Sequence, residues 1–253
     1  MHLSLPPALA ERIRAARRVV AFTGAGVSKE SGLATFRDGV DSLWQRFRPE
    51  EIATPQAFLA DPPTVWRWYL ERWRTAAAAT PNPGHTALAR LNDLFPSYLL
   101  VTQNVDGLHQ RAGSRGVVEL HGSLHAARCH ACHRRMEMER AAQQHPETPP
   151  QCDCGGLYRP AVVWFGEMLP AAAMERATAE AEACDLLLAV GTSATVFPAA
   201  GLIELAHRSG AAVIEVNPEP TAFSGLADLR LQAPAGTALP ALAEEVARCR
   251  PAS

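Results

Sequence analysis

A chain of 253 residues, 47% apolar and 20% charged, is long enough to bury a substantial core and has the composition of a folded globular protein. Its 24 basic and 26 acidic residues leave a formal net charge of −2, which argues against nucleic-acid binding through bulk electrostatics. No apolar run approaches the roughly 20 residues that a membrane span needs, so neither nucleic acid nor membrane is expected among its partners.

Pro6-Pro7, Leu9 and Ile13 ahead of Val19 predict an amphipathic first helix in place of an Arg-rich transit segment, and the protein is expected in the cytoplasm. Val19-Val20-Ala21-Phe22-Thr23 reads as a buried parallel strand. It breaks into Gly24-Ala25-Gly26, where missing side chains let backbone amides approach a ligand. The next glycine is Gly32, so the G-x-G-x-x-G spacing of hydride-transferring dehydrogenases is absent. Phe36-Arg37-Asp38 and a Trp-rich helical stretch over 55–79 follow, stopped by Pro81-Asn82-Pro83-Gly84. A helix is predicted over His85–Leu94 and a strand over Ser97–Thr102, which runs into Gln103-Asn104-Val105-Asp106. A short strand at Val117–Leu120 delivers His121-Gly122.

Further strands are predicted at Ala161–Phe165, Asp185–Val190, Ala212–Val216 and Leu229–Leu231. Helices are predicted at Pro170–Ala183, Pro198–Arg208 and Leu239–Arg248. This alternation implies an α/β fold: a Rossmann-like parallel sheet with helices on both faces. Residues 1–38, 85–122 and 159–253 would form that domain. A helical insertion at 39–84 and a metal module at 123–158 would form a smaller one.

Four of the six cysteines crowd between Cys129 and Cys154, a pattern that favours metal over disulfides where no secretory signal is seen. Cys129-x-x-Cys132 is a standard half-site for tetrahedral zinc. Its partner Cys152-Asp153-Cys154 is irregular, with one intervening residue, and Gly155-Gly156 would let the loop turn its amides toward a thiolate. Cys129, Cys132, Cys152 and Cys154 are the expected ligands, with His130 or His133 replacing one of them as the alternative. Four protein ligands would close the site around one structural zinc per chain. The segment 123–158 is poor in apolar residues and is expected to need that staple. Cys184 reads as a buried small hydrophobe and Cys249 as incidental.

Ligands of open α/β sheets sit beyond the carboxyl ends of the strands. Polar clusters fall there repeatedly: Gly24–Gly26, Gln103–Asp106, His121-Gly122, Gly191-Thr192-Ser193 and Asn217. Singly, each has a structural explanation; Asn104 and Asp106 suit helix caps, and His121 suits a core histidine bonded to a carbonyl. Together they carry a resemblance. Gly-Ala-Gly-x-Ser-x-x-Ser-Gly-x-x-x-Phe-Arg from Gly24 to Arg37 resembles the NAD-binding signature of sirtuins, the NAD-dependent protein deacylases. Thr102 to His109, Glu119-Leu120-His121-Gly122, Val163-Trp164-Phe165-Gly166-Glu167, Gly191-Thr192-Ser193 and Val216-Asn217 are similar to that family's core motifs. They occur in its order from Val19 to about Gly236.

The resemblance implies deacylation that consumes NAD: acyl-lysine and NAD yield nicotinamide, O-acyl-ADP-ribose and free lysine. His121 would be the general base toward a ribose hydroxyl, a task suited to an imidazole with an unperturbed pKa of about 6.5. Asn104 and Asp106 would join it as catalytic residues and, with Gln103, hold the ribose and nicotinamide. Phe36 and Arg37 would shield the sugar from water. Gly24, Ala25, Gly26, Ser193 and Asn217 would contact pyrophosphate and adenosine, with Ser28, Val105, Gly191, Thr192 and Ala235 completing the NAD site. Val163, Trp164, Phe165, Gly166 and Glu167 would clamp the substrate lysine.

Tyr69 and Arg72, three apart on one helical face, resemble the Tyr-x-x-Arg of the sirtuin branch that removes succinyl and malonyl groups. A guanidinium fork and a phenol suit a terminal carboxylate. Thr35 and Trp164 also resemble that branch, whereas Asp38 departs from the commoner Gly or Ala. A monomeric desuccinylase and demalonylase, retaining deacetylase activity on acyl-lysine proteins, is therefore expected. An ADP-ribosyltransferase sharing the site and a zinc module that only senses NAD are the competing readings.

Overall fold

The computed structural model describes residues 3–34 and 48–250. The chain opens with α1 (Pro7–Ala15), which starts on prolines and buries Leu9 and Ile13. Strand β1 (Arg18–Thr23) runs into a 3-10 turn over Ala25–Ser31. Three helices follow, α2 (Pro49–Ile52), α3 (Pro55–Ala60) and α4 (Pro62–Ala78). Thr54 and Asp61 cap the latter two by accepting the Ala57 and Thr64 N–H groups at 3.1 Å each. Helix α5 (Pro83–Leu91) begins under an Asn82 cap and leads into β2 (Ser97–Thr102), α6 (Leu108–Arg111) and β3 (Val118–Glu119). Then come β4 (Gly122–Cys129), β5 (Arg135–Glu137), α7 (Met138–Gln144) and β6 (Tyr158–Val162). The last part alternates: α8 (Ala171–Ala183), β7 (Leu186–Val190), α9 (Gly201–Arg208), β8 (Ala212–Val216), β9 (Leu229–Leu231) and α10 (Ala235–Cys249).

Six strands form a parallel sheet in the order β3-β2-β1-β7-β8-β9. Successive strands run outward from β1 to one edge, and the chain then returns beside β1 and runs to the other. The reversal lies between β1 and β7, so a crevice opens at their carboxyl ends. Alternation along each strand feeds two cores. Val19, Ala21, Leu186, Leu188 and Ile214 face α1, α5 and α10, while Val20, Phe22, Leu187, Ala189 and Val213 face α8 and α9.

The strand expected at Ala161–Phe165 is displaced in place and in role. It is β6, it ends at Val162, and it belongs to a separate antiparallel sheet ordered β5-β4-β6. The cysteine loop brings the chain back beside β4 in the opposite direction, so the pairing needs no crossover helix. Helix α10 starts at Ala235, ahead of the predicted Leu239, with Pro234 at its N-cap and Pro240 accommodated within its first turns. The cysteine segment is as poor in apolar residues as expected, and it borrows its core from α4. Trp66 and Leu70 pack with Ala127, Cys129, Met138 and Tyr158, and the Trp66 indole donates to the His145 carbonyl at 2.8 Å. Among the described residues no helix is long and apolar enough to cross a membrane.

Candidate active site

The turns after β1 and β7 are packed backbone to backbone. Gly24 N–H donates to the Val190 carbonyl at 3.0 Å and Gly26 N–H to the Gly191 carbonyl at 2.8 Å. A Cβ on Gly26 would stand 2.7 Å from the Gly191 oxygen, and one on Gly191, whose φ is +57°, would stand 2.4 Å from Val27 N. These glycines therefore let one turn seat on the other, and the Gly24 and Gly26 amides are committed to that contact. The neighbouring strand ends are tied in as well. Gln103 Nε2 donates to Thr192 Oγ1 and Asn217 Nδ2 to the Thr192 carbonyl, both at 2.9 Å. Ser193 Oγ lies 2.9 Å from Thr195 Oγ1. Ala235 is buried where α10 begins, its backbone close against Gly84. Ala25 opens the 3-10 turn, and the Val105 carbonyl accepts the Leu124 N–H at 2.9 Å.

Beneath the turns lies a buried polar core. Asn82 N–H donates to His85 Nδ1 at 3.3 Å, and His85 Nε2 is 3.4 Å from Ser28 Oγ. A backbone amide only donates, so neutral His85 carries its proton on Nε2 and gives it to Ser28. Ser28 also accepts from Asn104 Nδ2 at 3.1 Å and donates to Asp106 Oδ2 at 2.7 Å. The second Asp106 oxygen takes the Leu108 N–H at 2.9 Å. Alongside, His109 Nε2 bonds Thr23 Oγ1 at 2.9 Å, and Thr23 donates to Thr102 Oγ1 at 2.8 Å. The His109 ring lies 4.9 Å from that of His85, tilted by 58°. Burial pushes His85 down to about 4 and His109 down to about 3, aided by the neighbouring His85. Sequence reasoning met Thr102 and His109 only as the ends of a family motif, Thr23 as a strand residue and His85 as a helix residue, and gave none of them a place in the site. For His85 the available signal was Asn82-Pro83-Gly84-His85, a capping arrangement in which a histidine replaces the usual acid at the third position.

His121 stands half-buried where β3 meets β4, with Nδ1 2.9 Å from the Gln103 carbonyl. A carbonyl only accepts, which assigns the proton to Nδ1 and leaves the Nε2 lone pair available as a base. Burial lowers its pKa, so the ring is neutral near pH 7.

The other wall comes from α4 and the loop after β6. Trp164 and Tyr69 are each 3% exposed, and the Trp164 indole N–H donates to the Tyr69 hydroxyl at 2.8 Å. The Arg72 guanidinium lies 4.8 Å from the Trp68 ring centre and 5.8 Å from that of Tyr69. Burial lowers its pKa, against the opposing pull of Tyr69 and Asp106. Among the described residues no carboxylate pairs with it. Glu167 accepts from Arg159 at 2.5 and 3.0 Å, from Arg128 at 3.1 Å and from the Trp164 N–H at 2.8 Å. Burial would raise its carboxyl, yet the Arg159 hydrogen bonds and the Trp164 amide hold it below its ordinary value. Glu167 thus shapes the loop from within. Val163 N–H is tied to the His121 carbonyl at 2.9 Å, Gly166 takes a φ of +84°, and Phe165 is 55% exposed. Phe36 and Arg37, like Thr35 and Asp38, lie outside the described residues.

The four cysteine sulfurs of Cys129, Cys132, Cys152 and Cys154 lie within 4.8 Å of one another. Cys129 to Cys154 is 3.5 Å and Cys132 to Cys152 is 3.7 Å. These are far longer than a disulfide and close to the roughly 3.8 Å edge of a tetrahedron with metal–sulfur bonds of about 2.3 Å. His130 and His133 are not part of the cluster. The irregular Cys152-Asp153-Cys154 spacing works because Gly155 N–H closes a turn on the Cys152 carbonyl at 2.8 Å. A Cβ on Gly156 would stand 2.8 Å from the Cys129 sulfur.

A sequence profile described as the Sir2 family matches residues 24–198. The chain belongs to the Sir2 family. It is 50% identical over 241 residues, 95% of each chain, to a protein of Pyrobaculum aerophilum named NAD-dependent protein deacylase 2. It is also 50% identical to NAD-dependent protein deacylase 1 of Pseudomonas aeruginosa, covering 93% of this chain and 96% of that one. A Sir2 homologue solved as an NAD complex superposes with a TM-score of 0.89 at 47% identity, covering 98% of this chain and 96% of that one. The Sir2 fold thus carries the α/β sheet with a four-cysteine module beside it.

Buried neutral histidines link the stability of this Sir2 protein to pH. His85 and His109 bind protons more weakly folded than unfolded, so the unfolded state holds more protons below about pH 6.5 and stability rises with pH there. The urea midpoint should fall steadily between about pH 7 and about pH 4.5, and His109→Gln should flatten that slope. A midpoint independent of pH over this window would contradict the assignment.

Proposed function

We propose that this Sir2 protein is an NAD-dependent protein-lysine deacylase that favours succinyl and malonyl groups and retains some deacetylase activity. As a Sir2 family member at about 50% identity to named deacylases, the chain is an NAD-dependent protein deacylase acting on acylated lysines. The preference for acidic acyl groups rests on one observation. A half-buried guanidinium, Arg72, lines the wall beside Tyr69 without a carboxylate of its own among the described residues. An acyl carboxylate would supply that missing partner through charge-assisted hydrogen bonds.

The residues present fit NAD. Two seated glycine turns and the polar ends of β2, β7 and β8 converge at the sheet's switch point. When bound, NAD supplies a ribose carbon whose bond to nicotinamide breaks as the acyl-lysine oxygen attacks. Ala25, Ser193 and Asn217 would hold its pyrophosphate and adenosine, with Gly24 and Gly26, whose amides are taken by Val190 and Gly191, contributing a surface free of side chains. Gln103, Asn104 and Asp106 would hold ribose and nicotinamide, with Ser28 fixing the Asp106 rotamer. His121 takes a proton on Nε2 while its Nδ1–H stays bonded to Gln103. Val163 and its loop would grip the lysine stem. The four cysteines would hold a structural zinc, closed to water. The reading extends to a monomer in the cytoplasm, where the unpaired thiols suit a reducing compartment.

His121→Ala should lower kcat by at least about hundredfold while calorimetric NAD binding persists; near-normal turnover by the purified variant would remove His121 from the chemistry. Arg72→Met should cut the succinyl-to-acetyl ratio of kcat/KM on matched peptides by roughly tenfold or more. An unchanged ratio would refute the acyl pocket. Elemental analysis should find about one zinc per chain, and a chelator that strips it should lower Tm. Folded protein without stoichiometric metal would count against the zinc assignment.

A further inference from the structure

We propose that Trp164 is a positioning residue that sets acyl selectivity by fixing where the Tyr69 hydroxyl sends its proton; this rests on the acidic-acyl reading above. An indole N–H is a donor only. At 2.8 Å from Trp164 Nε1, the Tyr69 oxygen must therefore accept. Its own O–H is turned away from Trp164, and it finds no acceptor among the described residues. The Arg72 guanidinium lies 5.8 Å from the centre of the same ring. Tyr69 O–H and Arg72 are thus two neighbouring donors that one acyl group can meet. An acyl carboxylate satisfies both. An acetyl methyl satisfies neither and leaves a buried hydroxyl proton unpaired, the asymmetry by which buried polar groups reject a ligand lacking their partner.

Trp164 is held in this duty on both sides. The Arg159 guanidinium lies 3.2 Å from the centre of its ring, and Glu167 accepts from both Arg159 and the Trp164 backbone N–H. A cation over the indole face draws electron density from the ring and so strengthens the N–H as a donor. The indole cannot rotate without breaking the Arg159 contact and the Tyr69 bond together.

The test is a double-mutant cycle on the succinyl-to-acetyl ratio of kcat/KM, using wild type, Trp164→Phe, Tyr69→Phe and the double variant. Each single substitution should lower the ratio roughly three- to tenfold, and the double should match Tyr69→Phe alone because both act on one proton. A ratio for Trp164→Phe within about twofold of wild type, or multiplying losses in the double, would overturn the proposal. So would an unchanged ratio in Tyr69→Phe while Arg72→Met loses selectivity; the acidic-acyl reading would then survive. An unchanged ratio in Arg72→Met would remove both. Independently of whether Trp164→Phe folds, Tyr69→Phe should shift one indole N–H proton resonance upfield as its bond is lost. No shift would refute the contact.

Discussion

The contact between the Gly24–Gly26 turn and the Gly191 turn governs the rest of the molecule. Two parallel strands carry their loops off the same edge of the sheet, and here the loops meet with no side chain between them. A single methyl would meet backbone atoms that cannot yield. Because β1 and β7 are fixed edge to edge in this way, the ends of β2 and β8 can be bonded to the same turn through Gln103 and Asn217. The crevice therefore gets its shape from the backbone, and the side chains that line it need only be oriented.

Orientation is the task of the layer beneath. Each member of the series Asn82, His85, Ser28 and Asp106 has its donor and acceptor roles dictated by the one before it. The series begins at a backbone amide, which cannot reverse, so it has one direction only. Keeping the two histidines neutral requires burial, and burial is also what makes an unsatisfied partner costly. His121 follows the same logic at the surface of this layer: a carbonyl on one nitrogen decides what the other is free to do.

Much of this was legible in the residues. The apolar β-branched run at Val19 and its successors announce a parallel sheet, and the polar motifs at the strand ends mark its carboxyl edge. The irregular cysteine pair still closes a four-sulfur cluster, since glycines at 155 and 156 supply the turn. Other features were hidden because they depend on tertiary partners. Nothing local distinguishes a strand of the main sheet from β6, whose neighbour β4 became visible only as a pairing. Glu167 was expected in the lysine clamp, and the two arginines that close on it come from the paired strands β4 and β6. His85 reads as a helix residue, and its burial against Ser28 comes from a segment 57 residues away. The glycine turn was legible as a turn, but its purpose, seating on Gly191, requires the second loop.

Helix α4 is a beam shared between two structures. One side of it plugs the cysteine module with Trp66 and Leu70, and the neighbouring side carries Tyr69 toward Trp164 and Arg72 beside it. The two cannot be exchanged separately. A chimaera that imports a foreign cysteine module would tilt or loosen this beam and shift Tyr69 and Arg72 against Trp164, even with all three residues left in place. Divergence on one side of α4 is thereby constrained by the other, and the two would be expected to drift together as a unit.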